Sequence, residues 1–120
     1  MKHSGQYQIA DEHFRSLVLA NVEIARISSG HLWTEGPVWF ADHKVLLFSD
    51  IPNQRILRWT PCGTVTVFRE QSNFANGNFR DLQGRLVTRQ HGTRSVTKTE
   101  HDGSITELAC KYGSKRLNSP

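Results

Sequence analysis

The chain has 120 residues, a formal net charge of +4 and a mean hydropathy of −0.51, which suits one ordinary domain. Its 15 basic side chains are interspersed with 11 acidic ones and form no basic block, so we predict no nucleic-acid partner. No apolar stretch approaches the ~18 residues of a membrane helix, and the N-terminus lacks an apolar signal segment, so we expect a cytoplasmic protein without membrane contact.

The N-terminal segment, residues 1–33, is predicted to hold a short helix and a leading strand. Residues 1–10 are polar and are expected to fray. Asp11 can cap a helix over Glu12–Leu17, which carries an acidic residue in its first turn. Alternating apolar side chains over Val22–Ile27 predict the leading strand, which a Ser-Ser-Gly sequence ends.

From residue 34 onward, the sequence predicts short strands separated by Gly, Pro, Asn and Asp turns. Proline cannot donate a ladder hydrogen bond, so the first of these strands should begin at or after Pro37. The predicted strands are Val38–Phe40, Val45–Ser49, Arg55–Trp59, Thr64–Arg69, Asn78–Leu82, Arg85–Gln90, Ser95–Thr99 and Ser104–Ala109.

These strands form two sets of four that repeat at an interval of 40 residues. The matched positions are Trp39 and Phe79, Leu46 and Leu86, Ile56 and Val96, and Gly63 and Gly103. A repeat of this length is typical of a propeller blade. We therefore predict an all-β, truncated propeller over residues 34–120, with blade one at about 37–70, blade two at about 77–110 and a loop toward a third blade at 111–120. Two blades leave edges unpaired, which favours self-association.

Polar side chains collect at one end of the predicted blades. Glu35 stands before a Gly-Pro turn at the mouth of the innermost strand, and antiparallel pairing returns the turns beginning at Asp50 and His91 to the same end. The loop into blade two adds Asn76 and Asn78. Such groups suit an oxygen-rich metal or polyol site. Glu35 is a candidate metal ligand or catalytic carboxylate, and Asn76, Asn78 and His91 are the candidate substrate-binding residues.

Each of these residues also has an ordinary structural interpretation. Glu35 could be a rim carboxylate facing water, Asn76 precedes glycine in a favoured turn pair, and His91 could simply end a strand. Covalent catalysis is not indicated, since the sequence has no GxSxG, HExxH or phosphate-loop motif, and no catalytic residue is assigned. Cys62 and Cys110 lack a CxxC spacing and are expected to be reduced.

Seven motifs carry a resemblance to a known family. They are Glu35-Gly36-Pro37-Val38-Trp39-Phe40, Leu47-Phe48-Ser49-Asp50-Ile51-Pro52-Asn53, Ile56-Leu57-Arg58-Trp59, Phe74-Ala75-Asn76-Gly77-Asn78, Gln83-Gly84-Arg85-Leu86-Val87-Thr88, His91-Gly92-Thr93-Arg94 and Lys115-Arg116-Leu117-Asn118-Ser119-Pro120. Together they resemble the start of a gluconolactonase, in the superfamily of senescence marker protein, gluconolactonase and luciferin-regenerating enzyme. The resemblance covers roughly residues 12–120. It implies a six-bladed propeller that holds a divalent metal, calcium or zinc, through Glu35 and hydrolyses a sugar lactone to the aldonic acid.

The sequence also departs from the family pattern. Phe79 stands where the family often has Thr, Arg89-Gln90 where it often has Cys-Glu, and Ser95 where it often has a second Arg. In the family a further channel asparagine comes from a Ser-Pro-Asn-Asp motif, of which this sequence holds Ser119-Pro120, and the remaining ligands, an asparagine and an aspartate, come from later blades. Because one carboxylate does not retain a catalytic metal against water, the chain alone is predicted to be inactive. The alternative is a non-catalytic propeller remnant, or half of a split protein, that acts through blade-edge association.

Overall fold

The computed structural model describes residues 4–5, 8–19 and 22–120, and within them it consists mainly of short antiparallel strands. Two minor strands come first, β1 (Ser4–Gly5) and β2 (Ile24–Ala25). The later strands are β3 (Thr34–Phe40), β4 (Val45–Asp50), β5 (Arg55–Trp59), β6 (Val65–Arg69), β7 (Ala75–Arg80), β8 (Leu86–Gln90), β9 (Ser95–Thr99), β10 (Ile105–Ala109), β11 (Lys111–Tyr112) and β12 (Lys115–Arg116). Within the described ranges, no helix has the length and apolar character needed to span a bilayer.

The helix predicted after Asp11 is present as a short 3-10 helix over Glu12–Ser16. The Asp11 carboxylate caps it by accepting a hydrogen bond from the backbone N–H of His13 at 2.8 Å. None of the residues in this helix is buried, so no packing extends it into a longer α-helix.

The leading strand is shorter than predicted. Of the expected stretch Val22–Ile27, only β2 is paired, and its side chains are exposed. Its partner is β1, which falls within the stretch 1–10 that was predicted to fray; positions 1–3 and 6–7 of that stretch lie outside the described residues. Apolar alternation predicted a longer strand here because it does not reveal whether a neighbouring strand is available to pair with.

Two four-stranded antiparallel sheets form the body of the protein. Their strand orders are β3-β4-β5-β6 and β7-β8-β9-β10, so each sheet is a meander in which consecutive strands pair. The innermost strands β3 and β7 lie against each other. This is the arrangement of two adjacent propeller blades, and the all-β fold class with two four-stranded blades is confirmed.

β3 begins at Thr34, three residues before the predicted start at Pro37. A β-bulge separates its pairing at Glu35 from its pairing at Val38, so the proline lies outside the regular ladder. Gly36 has a φ of 59°, a left-handed conformation that glycine adopts at little cost. The predicted start was therefore wrong, because the bulge removes the need for an N–H at the proline.

The innermost strands repeat at 41 residues and the following strands at 40. In the first hairpin, the cross-strand pair of Val38 and Leu47 corresponds to the pair of Phe79 and Val87. In the second hairpin, the pair of Leu46 and Trp59 corresponds to the pair of Leu86 and Thr99. The predicted match of Trp39 with Phe79 is therefore wrong by one residue, because blade two has a first hairpin one residue shorter. In the corrected register Glu35 is equivalent to Asn76, and each precedes a glycine within a bulge.

The hydrophobic core lies between the two blades. Its buried members are Phe40, Leu47, Ile56, Ala75 and Leu86, with Val38 and Val45 packed against them. Complete burial of a large apolar side chain contributes about 1.5–3 kcal/mol, so this shared cluster holds the two sheets together.

The C-terminal segment, predicted as a plain loop over 111–120, contains a hairpin. Strands β11 and β12 pair antiparallel, with Lys111 opposite Arg116, and Gly113 takes a φ of 59° in the turn. The backbone N–H of Leu117 donates to the carbonyl of Cys110 and closes the hairpin. The loop prediction missed it because each of its strands is only two residues long.

Candidate functional site

Glu35 opens the innermost strand of blade one, and it is exposed. It lines a pocket of about 240 Å³ together with Ile27, Ser28, His31, Thr34, Pro37, Leu46 and Phe48. Leu46 and Phe48 alternate along β4 with the core residue Leu47, so they lie on the blade face turned away from blade two. Glu35 is therefore an exposed residue at the edge of a pocket on blade one.

His31 shares this pocket with Glu35 and was not singled out by the sequence. Its Nε2 lies 2.6 Å from the Ser28 hydroxyl, and its ring packs edge-on against Phe48 with 5.3 Å between centroids. Its Nδ1 is buried and has no hydrogen-bond partner within the described ranges. Nothing around His31 in the sequence forms a recognisable motif, so the pocket that it shares with Glu35 is seen only in the tertiary structure.

Asp50 anchors the segment that leads into Glu35. Its fully buried carboxylate accepts hydrogen bonds from the backbone N–H groups of Leu32 and Trp33 at 3.1 and 3.2 Å. It also accepts from Asn53 at 2.8 Å and from Arg55 at 2.9 Å. Burial by itself raises the pKa of Asp50, but the hydrogen bonds from Asn53, Trp33 and Arg55 outweigh it and lower the pKa to about 2. Asp50 is therefore a charged structural anchor.

The two innermost strands approach each other most closely at Gly36. A side-chain carbon at this position would collide with the backbone of Asn76, Gly77 and Asn78, coming within 2.8 Å of the Asn78 nitrogen. The Asn78 amide closes the contact by donating to the Gly36 carbonyl at 3.0 Å and to the Ser49 hydroxyl at 2.8 Å. Glycine before proline is thus required by the packing of one blade on the next.

Asn78 has most of its hydrogen-bonding capacity taken up by the fold. Besides the two bonds to blade one, its side-chain oxygen accepts a hydrogen bond from the Thr88 hydroxyl at 3.1 Å. Its role as a substrate-binding residue stays a prediction. The geometry gives Asn78 a role as a tether between the blades, which the sequence did not indicate.

Asn76 and His91 lie beside the end of the described chain. The Asn76 amide donates to the carbonyl of Pro120 at 2.8 Å, and His91 Nδ1 lies 2.6 Å from the hydroxyl of Ser119. His91 is exposed and Asn76 is half-buried. Their role in substrate binding stays a prediction, and the contacts place both residues at the same edge of blade two.

Register places the predicted site residues at one end of the blades. Thr34 pairs with Asp50 in blade one, and Ala75 pairs with Gln90 in blade two, so Glu35, Asn76 and the turn after Gln90 share that end. The distribution of turns predicted from antiparallel order is therefore confirmed. Nevertheless, no three His, Cys, Asp or Glu side chains within the described ranges come together as a metal site. Among the predicted site residues, Glu35 supplies one accessible carboxylate, and one carboxylate is not a complete site for a divalent metal.

Consecutive four-stranded meanders, joined through their innermost strands and carrying a carboxylate at the mouth of the first, define this protein as part of a β-propeller. The profile of the SMP-30/Gluconolactonase/LRE-like region matches residues 33–120. The chain belongs to this family.

Individual relatives agree with the family assignment. The chain is 32% identical over 108 residues to the gluconolactonase of Zymomonas mobilis, a match that covers 78% of this chain and 30% of that protein. The structure is similar to that of a gluconolactonase from Xanthomonas campestris, with a TM-score of 0.79 and 38% identity, covering 85% of this chain and 34% of that one. It is also similar to a structural-genomics target described as a candidate gluconolactonase, with a TM-score of 0.82, 32% identity and coverage of 92% and 39%.

The chain thus spans about a third of the length of the relatives it matches. A streptogramin B lyase, at 17% identity and a TM-score of 0.53, shares the fold alone. The relatives support the family and the fold for this chain, while the remaining two thirds of each relative have no counterpart among the 120 residues.

Proposed function

We propose that this chain supplies two adjacent blades of a gluconolactonase-type hydrolase, which opens the ester of a sugar lactone to give the aldonic acid. The observation that carries the proposal is the position of Glu35, exposed in a bulge at the start of the innermost strand. That position is at the mouth of the strand nearest to where blades converge, which is the place a channel ligand must occupy. Identity of 38% to the Xanthomonas gluconolactonase supports the substrate class.

In this proposal Glu35 contributes one oxygen ligand to a divalent cation, calcium or zinc, whose other ligands come from outside the described residues. Oxygen donors of this kind suit calcium, and carboxylates also bind zinc. The proposal assigns hydrogen bonds with lactone hydroxyls to Asn76 and His91, which lie at the same end of the blades. Since the described residues do not complete a metal site, we expect the 120-residue chain alone to show no turnover.

A chimera tests the proposal directly. Residues 33–120 of this chain would replace the matching part of the Xanthomonas gluconolactonase, and hydrolysis of gluconolactone would be followed with added calcium or zinc. We expect the chimera to hydrolyse the lactone and Glu35→Gln to lower the rate at least about 100-fold, because loss of a charged ligand weakens a metal site of this kind severely.

The matched control for the chimera is Glu70→Gln, which makes the same chemical change in an exposed loop residue after β6. It should leave the rate unchanged. A folded chimera that hydrolyses the lactone equally well with either substitution would contradict the role given to Glu35. A folded chimera without any activity would contradict the proposal that these blades are compatible with a lactone hydrolase.

A further inference from the structure

A second pocket lies between the two blades, at the end opposite to Glu35. Its cavity volume is about 400 Å³. The lining consists of Phe40, His43, Val45, Leu47, Arg58, Phe68, Gly84, Arg85, Leu86, Thr99, Glu100 and His101. We call it the interblade cleft. The turns at His43, Gly84 and His101 place it away from the end that holds Asn76 and His91, so it is separate from the candidate hydrolase site.

The floor of the interblade cleft is apolar. Phe40, Leu47 and Leu86 belong to the buried core between the blades, and Val45 packs against that core. Phe68, on the outermost strand of blade one, is 39% exposed and forms part of the wall. A ligand with an apolar body would remove this exposed aromatic surface from water, which is favourable.

Three carboxylates beside the cleft are each paired with a cation. Asp42 lies 3.3 Å from Arg80, and Asp81 lies 2.9 Å from Arg85. Glu100 lies 3.0 Å from both Arg85 and Lys98. His43 approaches Asp42 at 3.8 Å. The two charges of each pair neutralise each other, so the net charge of the cleft is determined by cations that have no such partner. Arg58, which lines the cleft, and Arg69, which contacts the lining residues Phe68 and Thr99, have no carboxylate partner among the described residues.

Arg58 projects from the third strand of blade one into the cleft. Its Nε donates to the Thr66 hydroxyl at 3.2 Å, which leaves the terminal nitrogens of this exposed guanidinium without a partner among the described residues. Arg58 therefore offers guanidinium N–H donors at the wall of a cleft whose floor is apolar.

Arg69 reinforces the positive character of this wall. Its guanidinium lies 6.0 Å from the ring centre of Phe68 and donates to the Thr99 hydroxyl, and both of those residues line the cleft. Its Nη1 is buried without a hydrogen-bond partner within the described ranges. Burial lowers the pKa of Arg69, because no carboxylate compensates the charge.

We propose that the interblade cleft binds a small organic anion that combines one carboxylate with an aromatic or branched aliphatic body. The carboxylate pairs with Arg58 and gains from the uncompensated charge of Arg69, and the apolar body lies against Phe68 and the cleft floor. A guanidinium that faces an apolar surface binds such an anion better than either a neutral analogue or a purely polar anion, because both parts of the ligand are matched.

The experiment titrates the 120-residue chain with 3-phenylpropionate at about 0.15 M ionic strength, where long-range attraction is screened. Calorimetry gives the affinity, and chemical shifts of backbone amides give the location. We expect saturable binding with shift changes at Arg58, Phe68 and Thr99. The neutral 3-phenylpropanol and the small anion acetate should each bind at least about tenfold more weakly, since each lacks half of the recognition.

Two arginine variants separate a built site from general attraction to a basic protein. Arg58→Gln should weaken 3-phenylpropionate binding at least about tenfold, while Arg94→Gln, an exposed arginine in the β8–β9 turn, should leave it unchanged. Phe68→Ala should weaken binding of the anion as well.

Four results would overturn the proposal: no saturable binding, equal effects of the two arginine variants, equal affinity for the neutral alcohol, or shift changes confined to the Glu35 end. None of these outcomes bears on lactone hydrolysis, because the interblade cleft shares no lining residue with the Glu35 pocket.

Discussion

At the scale of single residues, Asp50 determines how the chain arrives at Glu35. The carboxylate holds the backbone of Leu32 and Trp33, and Arg55 and Asn53 hold the carboxylate in turn. In blade two the equivalent residue is Gln90, which accepts hydrogen bonds from Asn73 and Thr93 instead. Asp50 and Gln90 thus each accept a hydrogen bond from the segment that leads into their blade, but only the charged Asp50 makes the stability depend on pH.

Replacing Asp50 with Asn should lower the free energy of unfolding at pH 7 by about 2 kcal/mol, because the pKa falls from the ordinary 3.8 to about 2 and each pKa unit corresponds to about 1.4 kcal/mol. The folded pKa is the lower one, so the stabilisation is complete above about pH 5 and is lost as the pH falls toward 2. Urea unfolding across this pH range measures both effects.

The matched control for Asp50 is Asp102→Asn, in the exposed turn before β10, where the carboxylate bonds only within its own turn to Ser104. It should cost clearly less stability than Asp50→Asn. An Asp50→Asn protein as stable as the original at pH 7, or one with an unchanged dependence on pH, would show that the carboxylate does not anchor the segment.

At the scale of elements, the bulge in β3 sets the relation between the blades. Gly36 combines a φ of 59° with a close approach to the backbone of Asn76–Asn78. Gly63, in the turn before β6, has a φ of 88° but has nothing within 4 Å of where a side-chain carbon would lie. The two glycines therefore share the conformational requirement and differ in the contact with the neighbouring blade.

Gly36→Ala should destabilise the protein by at least about 2 kcal/mol more than Gly63→Ala, because both substitutions strain a left-handed residue but only the first forces the blades apart. The free energy of unfolding of the two variants, measured by urea titration, gives the difference. Equal losses would mean that the innermost strands do not meet as closely as the structure places them. Gly63→Ala also shows the cost of the backbone conformation on its own.

At the scale of the whole molecule, the two blades share one core. Phe40, Leu47 and Ile56 come from blade one, and Ala75 and Leu86 come from blade two. All three tryptophans belong to blade one or to the segment before it, so their fluorescence reports on that part, whereas far-UV circular dichroism reports on both blades. The outer surfaces carry exposed aromatic side chains, with Phe79 at 69% and Trp39 at 46%; self-association through such surfaces stays a prediction.

Leu86→Ala should lower the free energy of unfolding by about 2–5 kcal/mol and shift the fluorescence and dichroism transitions together, because the leucine contributes to a core that both blades share. Leu82→Ala removes the same atoms from a leucine that is 94% exposed in the β7–β8 turn, and should change the stability by under about 0.5 kcal/mol. If Leu86→Ala shifted only the dichroism transition, the blades would be unfolding independently.

The sequence was sufficient to predict the two four-stranded blades. Short apolar strands between Gly, Pro and Asp turns pair with their nearest neighbours, and such local pairing can be deduced from spacing alone. It also placed Glu35, Asn76 and His91 at one end, since antiparallel order determines at which end each turn lies. The resemblance of its motifs to gluconolactonases agrees with the family match over residues 33–120.

Only the tertiary structure decided the rest, because it depends on contacts between segments that are distant along the chain. The pairing of β3 with β4 places Glu35 and Pro37 at a bulge, which strand spacing does not reveal. Because the first hairpin of blade two is one residue shorter, Glu35 is structurally equivalent to Asn76. The tether formed by Asn78, the packing of His31 against Phe48 and the interblade cleft all require one blade or segment to pack on another. Strand spacing carries no information about which side chains meet across that packing.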